Sequence, residues 1–251
     1  MVFVVFHAGL SQDFSYPSLD PTIYDLKSAY IDSSMMQGVT PTEIDSEPIY
    51  TGIILPETYN IIYYDVVEDI YGNPDYGTDD LCDYQYGLTG IFAFLLGYEI
   101  GLPPLFNIDT GAPGVGYFGL MDHGSNNGRG VIPVAPTPWT RSRISGWSDI
   151  DTLTSKDSIL IESYNMSNKI YKIDISDSEY FLIENRNNWV IQDADIDSLR
   201  RANKINENQL GRWFDVVIDS LKLMEIDATT GVITGVDHYD YGLPGAGILI
   251  W

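Results

Sequence analysis

One apolar stretch decides the fold of this chain: Gly90-Ile91-Phe92-Ala93-Phe94-Leu95-Leu96-Gly97-Tyr98-Glu99-Ile100-Gly101-Leu102-Pro103-Pro104. The run of apolar residues predicts a helix over residues 85–100 that is buried on most of its faces. Gly101 followed by Pro103 is typical of a helix end. The stretch is too short, and too often interrupted by glycine, to span a bilayer.

Four positions of this stretch have the spacing of the metal-binding pattern His-Glu-x-x-His-x-x-Gly, in which a third ligand follows shortly after the glycine. Two histidines one helical turn apart bind zinc, and the glutamate polarises the zinc-bound water. Here the histidine positions hold Phe94 and Tyr98, the glutamate position holds Leu95, and the third-ligand position holds Pro104. Only Tyr98 has a donor atom, and a neutral phenol is a poor zinc ligand. The sequence therefore predicts neither zinc nor catalysis at this helix.

Further pieces of the chain match, in the same order, the immune inhibitor A-like metallopeptidase family, which this sequence resembles over nearly its whole length. The matching pieces are residues 5–9, 88–93, 101–103, 116–122, 138–141, 146–147, 180–186 and 243–251. The resemblance implies an α/β (α+β) architecture. Residues 1–149 would form a metzincin-like domain with a central sheet and a zinc-type helix, and residues 150–251 a mainly β lobe. It also implies that Met121 lies in the Met-turn below the zinc position, where its role is packing.

Members of this family are secreted zinc endopeptidases, but this chain departs from them at the residues that perform the chemistry. The leading hypothesis is therefore a catalytically inactive, metalloprotease-like (pseudopeptidase) domain of a secreted or cell-surface bacterial protein. Such a domain would bind a peptide or protein ligand, or have a structural role. Two alternatives stay open. One is an active zinc endopeptidase with ligands from elsewhere, for example His7, His123 and His238, and the other is a calcium-stabilised surface scaffold.

The composition limits the classes of partner and cofactor. A formal net charge of -23 at pH 7 repels nucleic acid and anionic membranes. An acidic loop contains Asp75, Asp79, Asp80 and Asp83, and calcium prefers several oxygen ligands on flexible loops. Calcium is therefore the candidate cofactor, although solvated acidic loops fit the composition equally well.

The remaining chemistry-bearing residues give weaker signals. The single Cys82 excludes an internal disulfide framework, and its acidic neighbours disfavour a reactive thiolate. The start of the chain lacks the features of a signal peptide. We expect the leader, a C-terminal tail and further domains to belong to a longer chain.

Periodicity predicts the elements around the helix. Apolar residues 2–6 predict a buried, central strand, and Thr137 and Pro138 predict the capped start of a helix over 137–147. Other predicted elements are a helical turn within 65–70 and strands over 53–55, 61–64, 159–164, 169–175, 180–184, 221–226 and 248–251.

Overall fold

The structure is a computed structural model. It describes residues 2–9, 11–14, 25–41, 43–59, 61–64, 67–68, 74–75, 81–84, 87–128, 130–144, 147–154, 158–188, 224–226, 228–229, 233–236 and 239–251. Between residues 61 and 84, and at 224, 226 and 233–236, only the backbone is described. The chain has a mixed α/β architecture with several small sheets and few helices in its described part, and it divides into two compact units. These are Met1–Ile100 (unit 1) and Gly101–Trp251 (unit 2).

Unit 1 combines short strands with one helix. Its elements are β1 (Val4–His7), β2 (Ala29–Ile31), β3 (Glu43–Ile44), β4 (Glu47–Pro48), β5 (Gly52–Pro56), β6 (Ile61–Tyr64), β7 (Val67–Glu68), β8 (Pro74–Asp75), β9 (Leu81–Tyr84) and α1 (Leu88–Glu99), with a 3-10 turn at Gln12–Phe14. The main sheet has the order β1-β5-β2, with β1 parallel and β2 antiparallel to β5. Three further antiparallel pairs are β3 with β4, β6 with β9, and β7 with β8.

The core of unit 1 forms where α1 packs on β5. Ile53 and Leu55 alternate along β5 and are fully buried, and Leu95 of α1 packs against them. The helix ends at Glu99 and is followed closely by Gly101, whose φ of 83° lies in the left-handed region that only glycine adopts without strain. The predicted helix is confirmed, although it begins three residues later than expected. It is less buried than predicted, because Phe92 keeps 36% of its surface exposed.

Strand β1 differs from its prediction in position. Its existence is confirmed, but in the described sheet it is an outer strand next to β5 alone. Val5 and Phe6 are each 59% exposed. Apolar residues on both faces are typical of a central strand, but composition does not say which neighbouring strands are present.

Unit 2 is built around a four-stranded sheet. Its elements are α2 (Pro138–Arg143), β10 (Asp149–Thr152), β11 (Lys169–Asp174), β12 (Tyr180–Arg186), β13 (Met224–Ile226), β14 (Ile233–Val236) and β15 (Gly247–Ile250), with 3-10 turns at Gly116–Phe118, His123–Asn126 and Tyr239–Gly242. The sheet order is β10-β11-β12-β15, and β13 pairs with β14. Helix α2 starts as predicted, since the Thr137 hydroxyl accepts a hydrogen bond from the Thr140 N–H at 3.3 Å. It is shorter than the predicted helix over 137–147.

Two predicted elements are wrong. Residues 159–164 form no strand beyond a single bridge from Ser163 to Asn185. The Asn185 side-chain amide donates instead to the Ile161 carbonyl at 3.0 Å, and Leu160 is 85% exposed. The helical turn expected within 65–70 is replaced by β7, which pairs with β8. Pairing between distant segments has overridden local propensity.

The compact units divide after Ile100, and β10, the first strand of the four-stranded sheet, begins at Asp149. The predicted boundary between a metzincin-like domain over residues 1–149 and a mainly β lobe over residues 150–251 stays a prediction.

Candidate functional site

Helix α1 carries three of the four altered positions, Phe94, Leu95 and Tyr98, and uses them for packing, whereas Pro104 lies beyond its end, in unit 2. Leu95 is only 5% exposed and belongs to the core with Ile53 and Leu55. Ile91, Phe94 and Tyr98 are partly buried against the same core. Residues at 91, 94, 95 and 98 follow the spacing of one helical face. The face that the sequence pattern assigns to zinc binding is therefore an apolar packing face.

Three rings form an aromatic face at this site, consisting of Tyr30, Phe94 and Tyr98. Phe94 meets Tyr98 edge to face, with ring centroids 5.0 Å apart. Tyr98 also stacks on Tyr30 of β2, with centroids 5.9 Å apart and ring planes 12° from parallel. Both geometries are favourable arrangements of aromatic pairs. The aromatic face thus ties α1 to the antiparallel strand of the sheet.

Electrostatics at the aromatic face argue against metal ligation. Burial raises the pKa of Tyr98, so its phenol stays protonated at neutral pH. Burial also raises the pKa of Tyr30, and the neighbouring Glu99 carboxylate raises it further. Zinc needs three or four donors of the imidazole, thiolate or carboxylate type. Phe94, Leu95 and a neutral Tyr98 do not provide them, so these residues do not fit zinc.

Glu99 is the one carboxylate on α1, and it lies on a different face of the helix from Tyr98. Its Oε1 accepts a hydrogen bond from the Thr51 hydroxyl at 3.1 Å. Its Oε2 is buried and has no hydrogen-bond partner in the part of the chain that the structure describes. The carboxylate therefore links the end of the helix to the start of β5.

The loop around Met121 in unit 2 is held by a single carboxylate. Met121 is fully buried. Oδ2 of the adjacent Asp122 accepts hydrogen bonds from the backbone N–H groups of Gly114, Val115 and Gly116, each at 2.8 Å. A Cβ at position 114 would lie 2.1 Å from the Leu105 carbonyl oxygen, so the loop requires glycine there. The tight turn at Met121 is thus closed by hydrogen bonds within unit 2.

His123 follows directly in this loop and interacts with its neighbours. Its backbone N–H donates to Asp122 Oδ1 at 2.7 Å, and its Nε2 lies 3.8 Å from the same oxygen. Its ring meets Tyr117 edge to face, with centroids 5.8 Å apart. The described contacts of His123 are thus with residues of its own loop, Asp122 and Tyr117.

In the described part of unit 2, the buried side chains of Arg141, Glu184, Arg186 and Asp240 form an ionic cluster. Each of these side chains is at most 2% exposed. Arg186 donates to Asp240 Oδ2 at 2.8 Å and to Glu184 Oε1 at 3.1 Å. Arg141 donates to the other oxygen of Glu184 and, at 3.1 Å, to Asn168 Oδ1. The two positive and two negative charges balance.

An aromatic ring supports the two arginines of the ionic cluster. The Tyr164 ring centroid lies 4.3 Å from Cζ of Arg141 and 5.0 Å from Cζ of Arg186. Burial by itself lowers the pKa of Arg186, but the hydrogen bond to Asp240 and the charges of Glu184 and Asp240 outweigh it and raise the pKa. In the sequence, Arg141, Glu184 and Arg186 stand out only as members of the segments that resemble the family. It gave no signal for Asp240, because spacing in the chain does not reveal which charges share an interior.

The predicted calcium loop is only partly described. Asp79 and Asp80 lie outside the described residues, as does His238 of the alternative histidine site. Asp75 and Asp83 lie in β8 and β9, where only the backbone is described. Within the ranges whose side chains are described, no group of three or more His, Cys, Asp and Glu residues is arranged to hold a metal ion. Calcium binding stays a prediction.

Comparison with known proteins adds no relative: no family model, no curated protein and no solved structure matches the chain. The resemblance to the immune inhibitor A-like family therefore rests on the sequence segments alone. Among the described residues no helix is both long enough and apolar enough to cross a membrane.

Proposed function

We propose that this chain is a catalytically inactive, metalloprotease-like domain that acts as a binding or structural module of a secreted or cell-surface protein. The proposal takes the metzincin-like fold from the sequence resemblance. It takes inactivity from the chemistry of α1, where the zinc-ligand positions hold Phe94 and Tyr98 and the general-base position holds Leu95.

The observation that carries the proposal is that the face of α1 with Phe94, Leu95 and Tyr98 packs against the core of unit 1. In an active enzyme, position 95 would hold a general base beside a metal-bound water. Here Leu95 is buried against Ile53 and Leu55. A carboxylate in that environment would lose its hydration without gaining a partner. The packing of α1 thus favours apolar residues at the positions that catalysis would need.

The aromatic face is the proposed contact region for a peptide or protein ligand. Tyr30 and Tyr98 offer apolar ring surface together with hydroxyl groups, a combination that is common at binding surfaces. Phe94 supports Tyr98 from its edge. Recognition at this face requires no metal and no proton transfer.

The test is zinc content combined with proteolysis. We expect elemental analysis of the purified chain to show no stoichiometric zinc, and labelled casein to remain uncleaved with and without chelator. Tyr98→Phe is the matched variant, because it removes only the oxygen that could ligate metal. Zinc at one ion per chain that is lost in Tyr98→Phe would overturn the proposal.

The same measurements distinguish the proposed inactive domain from the alternative, an active enzyme with unusual zinc ligands. Chelator-sensitive cleavage by the parent chain, abolished in His7→Ala or His123→Ala, would establish that alternative. Cleavage that is insensitive to chelator and unchanged in both variants would indicate a contaminating protease, which further purification should remove.

A further inference from the structure

A second apolar surface of unit 1 lies beside β1, away from the aromatic face. It is a cavity of about 300 Å³, which we call the β1 groove, lined by Val4, Phe6, Leu55, Leu88, Thr89 and Phe92. Leu88 and Phe92 are one helical turn apart, so they form a second apolar row on α1. The helix therefore contributes one row to the core and another to the β1 groove.

The backbone of β1 also has an outer edge at this surface, on the side away from β5. The carbonyls of Phe3 and His7 accept hydrogen bonds from Ile53 at 2.8 Å and Glu57 at 2.9 Å. Backbone groups alternate in direction along a strand, so the N–H and C=O groups of Val4 and Phe6 point away from β5. In the described part of the chain no strand pairs with this edge. Val4 and Phe6 thus line the β1 groove with their side chains and also have outward-pointing backbone groups.

The composition of β1 indicates that a partner strand belongs there. Its residues are apolar on both faces, and Phe6 and Val5 are each 59% exposed. Strands with this composition are normally paired along both edges, and proteins protect exposed apolar edges from pairing with charges, proline or bulges. Val4–His7 has none of these protections on its outer edge. An incoming strand could therefore pair with β1.

The net negative charge of unit 1 indicates which charge a binding partner should have. Of the 36 acidic residues in the chain, 16 lie within residues 1–100, where Lys27 is the only lysine or arginine. A surface with this excess of negative charge attracts cations and repels a second copy of the same unit. It repels anionic membranes in the same way. Charge complementarity therefore favours a basic partner over self-association.

We propose that unit 1 binds an extended, lysine- or arginine-rich peptide segment that adds a strand to the outer edge of β1. Its backbone pairs with Val4 and Phe6, and alternate apolar side chains enter the β1 groove next to Phe92. The basic side chains between them complement the excess of acidic residues in the sequence of unit 1. This proposal concerns a different surface from the aromatic face and holds whether or not the chain is an inactive peptidase.

The test uses the full chain and a synthetic probe, an acetylated and amidated Lys-Val-Lys-Phe-Lys-Val-Lys peptide with a fluorescent label. Binding is measured by anisotropy at low salt. We expect Phe6→Thr to weaken binding at least about tenfold, equivalent to about 1.4 kcal/mol. Val5→Thr is the matched control, because Val5 is equally exposed on the same strand but points to the opposite face. It should change affinity less than about twofold.

Two altered probes separate strand addition from charge attraction. Methylation of alternate backbone nitrogens, which removes pairing donors, should abolish binding, and so should replacement of every lysine by glutamate. Equal binding of the methylated probe, or equal affinity of Phe6→Thr and the parent chain, would reduce the effect to non-specific attraction and overturn the proposal.

Folding and self-association are checked separately. Circular dichroism should show that Phe6→Thr is folded, and Phe92→Ala provides a second groove variant on the helix side. It should weaken binding in the same direction. Sedimentation equilibrium should show a monomer, and a dimer that Phe6→Thr dissociates would assign the edge to a second copy of the chain and overturn the proposal.

Discussion

The two units are stabilised by different kinds of interior. In unit 1 the core is apolar, with Ile53, Leu55 and Leu95 at its centre. In unit 2 the ionic cluster of Arg141, Glu184, Arg186 and Asp240 is buried beside apolar residues of the sheet. An apolar core tolerates changes of shape within limits, whereas a buried charge requires its partner. The units should therefore respond differently to substitutions of similar size.

The largest expected effect is in the ionic cluster. Arg186→Met should lower the free energy of unfolding by about 3–5 kcal/mol, because it leaves Glu184 and Asp240 buried without a shared cation. Chemical denaturation of the full chain measures this loss. Arg143→Met is the matched control, since Arg143 is exposed, and its effect should stay within about 0.5 kcal/mol. Equal effects of the two substitutions would show that the ionic cluster adds nothing beyond surface charge.

The apolar core of unit 1 should show a graded response. Leu95→Ala should cost about 2–5 kcal/mol, because it removes buried methyl groups and leaves a cavity next to Ile53 and Leu55. Leu95→Met preserves volume and should cost less than about 1.5 kcal/mol. Both values come from denaturant midpoints. If Leu95→Met lowered the free energy of unfolding as much as Leu95→Ala, the core would not tolerate changes of side-chain shape.

Alkaline pH should weaken unit 1 through Tyr59, which is 3% exposed. Burial raises its pKa above 10, and the hydrogen bond to Asp13 at 2.6 Å raises it further. The unfolded tyrosine loses its proton near pH 10, before the folded one does. Stability that is complete below pH 10 is therefore lost progressively above it. Denaturation between pH 9 and about 12 should show this decline.

Tyr59→Phe separates this titration from the others. The variant should be about 1–3 kcal/mol less stable at pH 8, because Asp13 loses a hydrogen-bond donor. Its stability should also fall less steeply above pH 10. A slope identical to that of the parent chain would assign the alkaline loss to other groups.

The smallest expected effect is that of calcium on the stability of unit 1, which contains the acidic loop. Calcium at about ten times its dissociation constant would stabilise the native state by about 1.4 kcal/mol, and it should raise the melting temperature more than sodium at equal ionic strength. The double variant Asp79→Asn and Asp80→Asn tests the acidic loop and should remove the difference. Equal shifts from the two salts would identify the loop as ordinary solvated surface.

The sequence predicted those parts of the fold whose signals are local. The helix end before Gly101 and the cap at Thr137 each depend on residues within one turn, and the structure has both. The apolar run of residues 2–6 correctly predicted a strand, but its place in the sheet depends on which distant segments pair with it. Residues 159–164 have strand-like spacing, yet among the described residues they form only the bridge from Ser163 to Asn185, and Leu160 is exposed.

The candidate site shows the same limit. The spacing of Phe94 and Tyr98 placed them on one helical face, and their rings are in contact. The sequence did not indicate that Tyr30 of β2 would complete this face, since nothing near residue 30 marks it as a partner of α1. The sequence did not indicate the β1 groove for the same reason, because β1 and α1, which line it together, are about 80 residues apart in the chain.

The ionic cluster also has a consequence for the order of folding. Arg141 and Glu184 are 43 residues apart in the chain, and Arg186 and Asp240 are 54 apart. Loops of this length must close before either pair can form, and a partly assembled cluster would hold unpaired charges out of water. The cluster should therefore form after the folding barrier is crossed. Its loss would accelerate unfolding and leave the refolding rate nearly unchanged, so these four residues set how long unit 2 stays folded rather than how fast it folds.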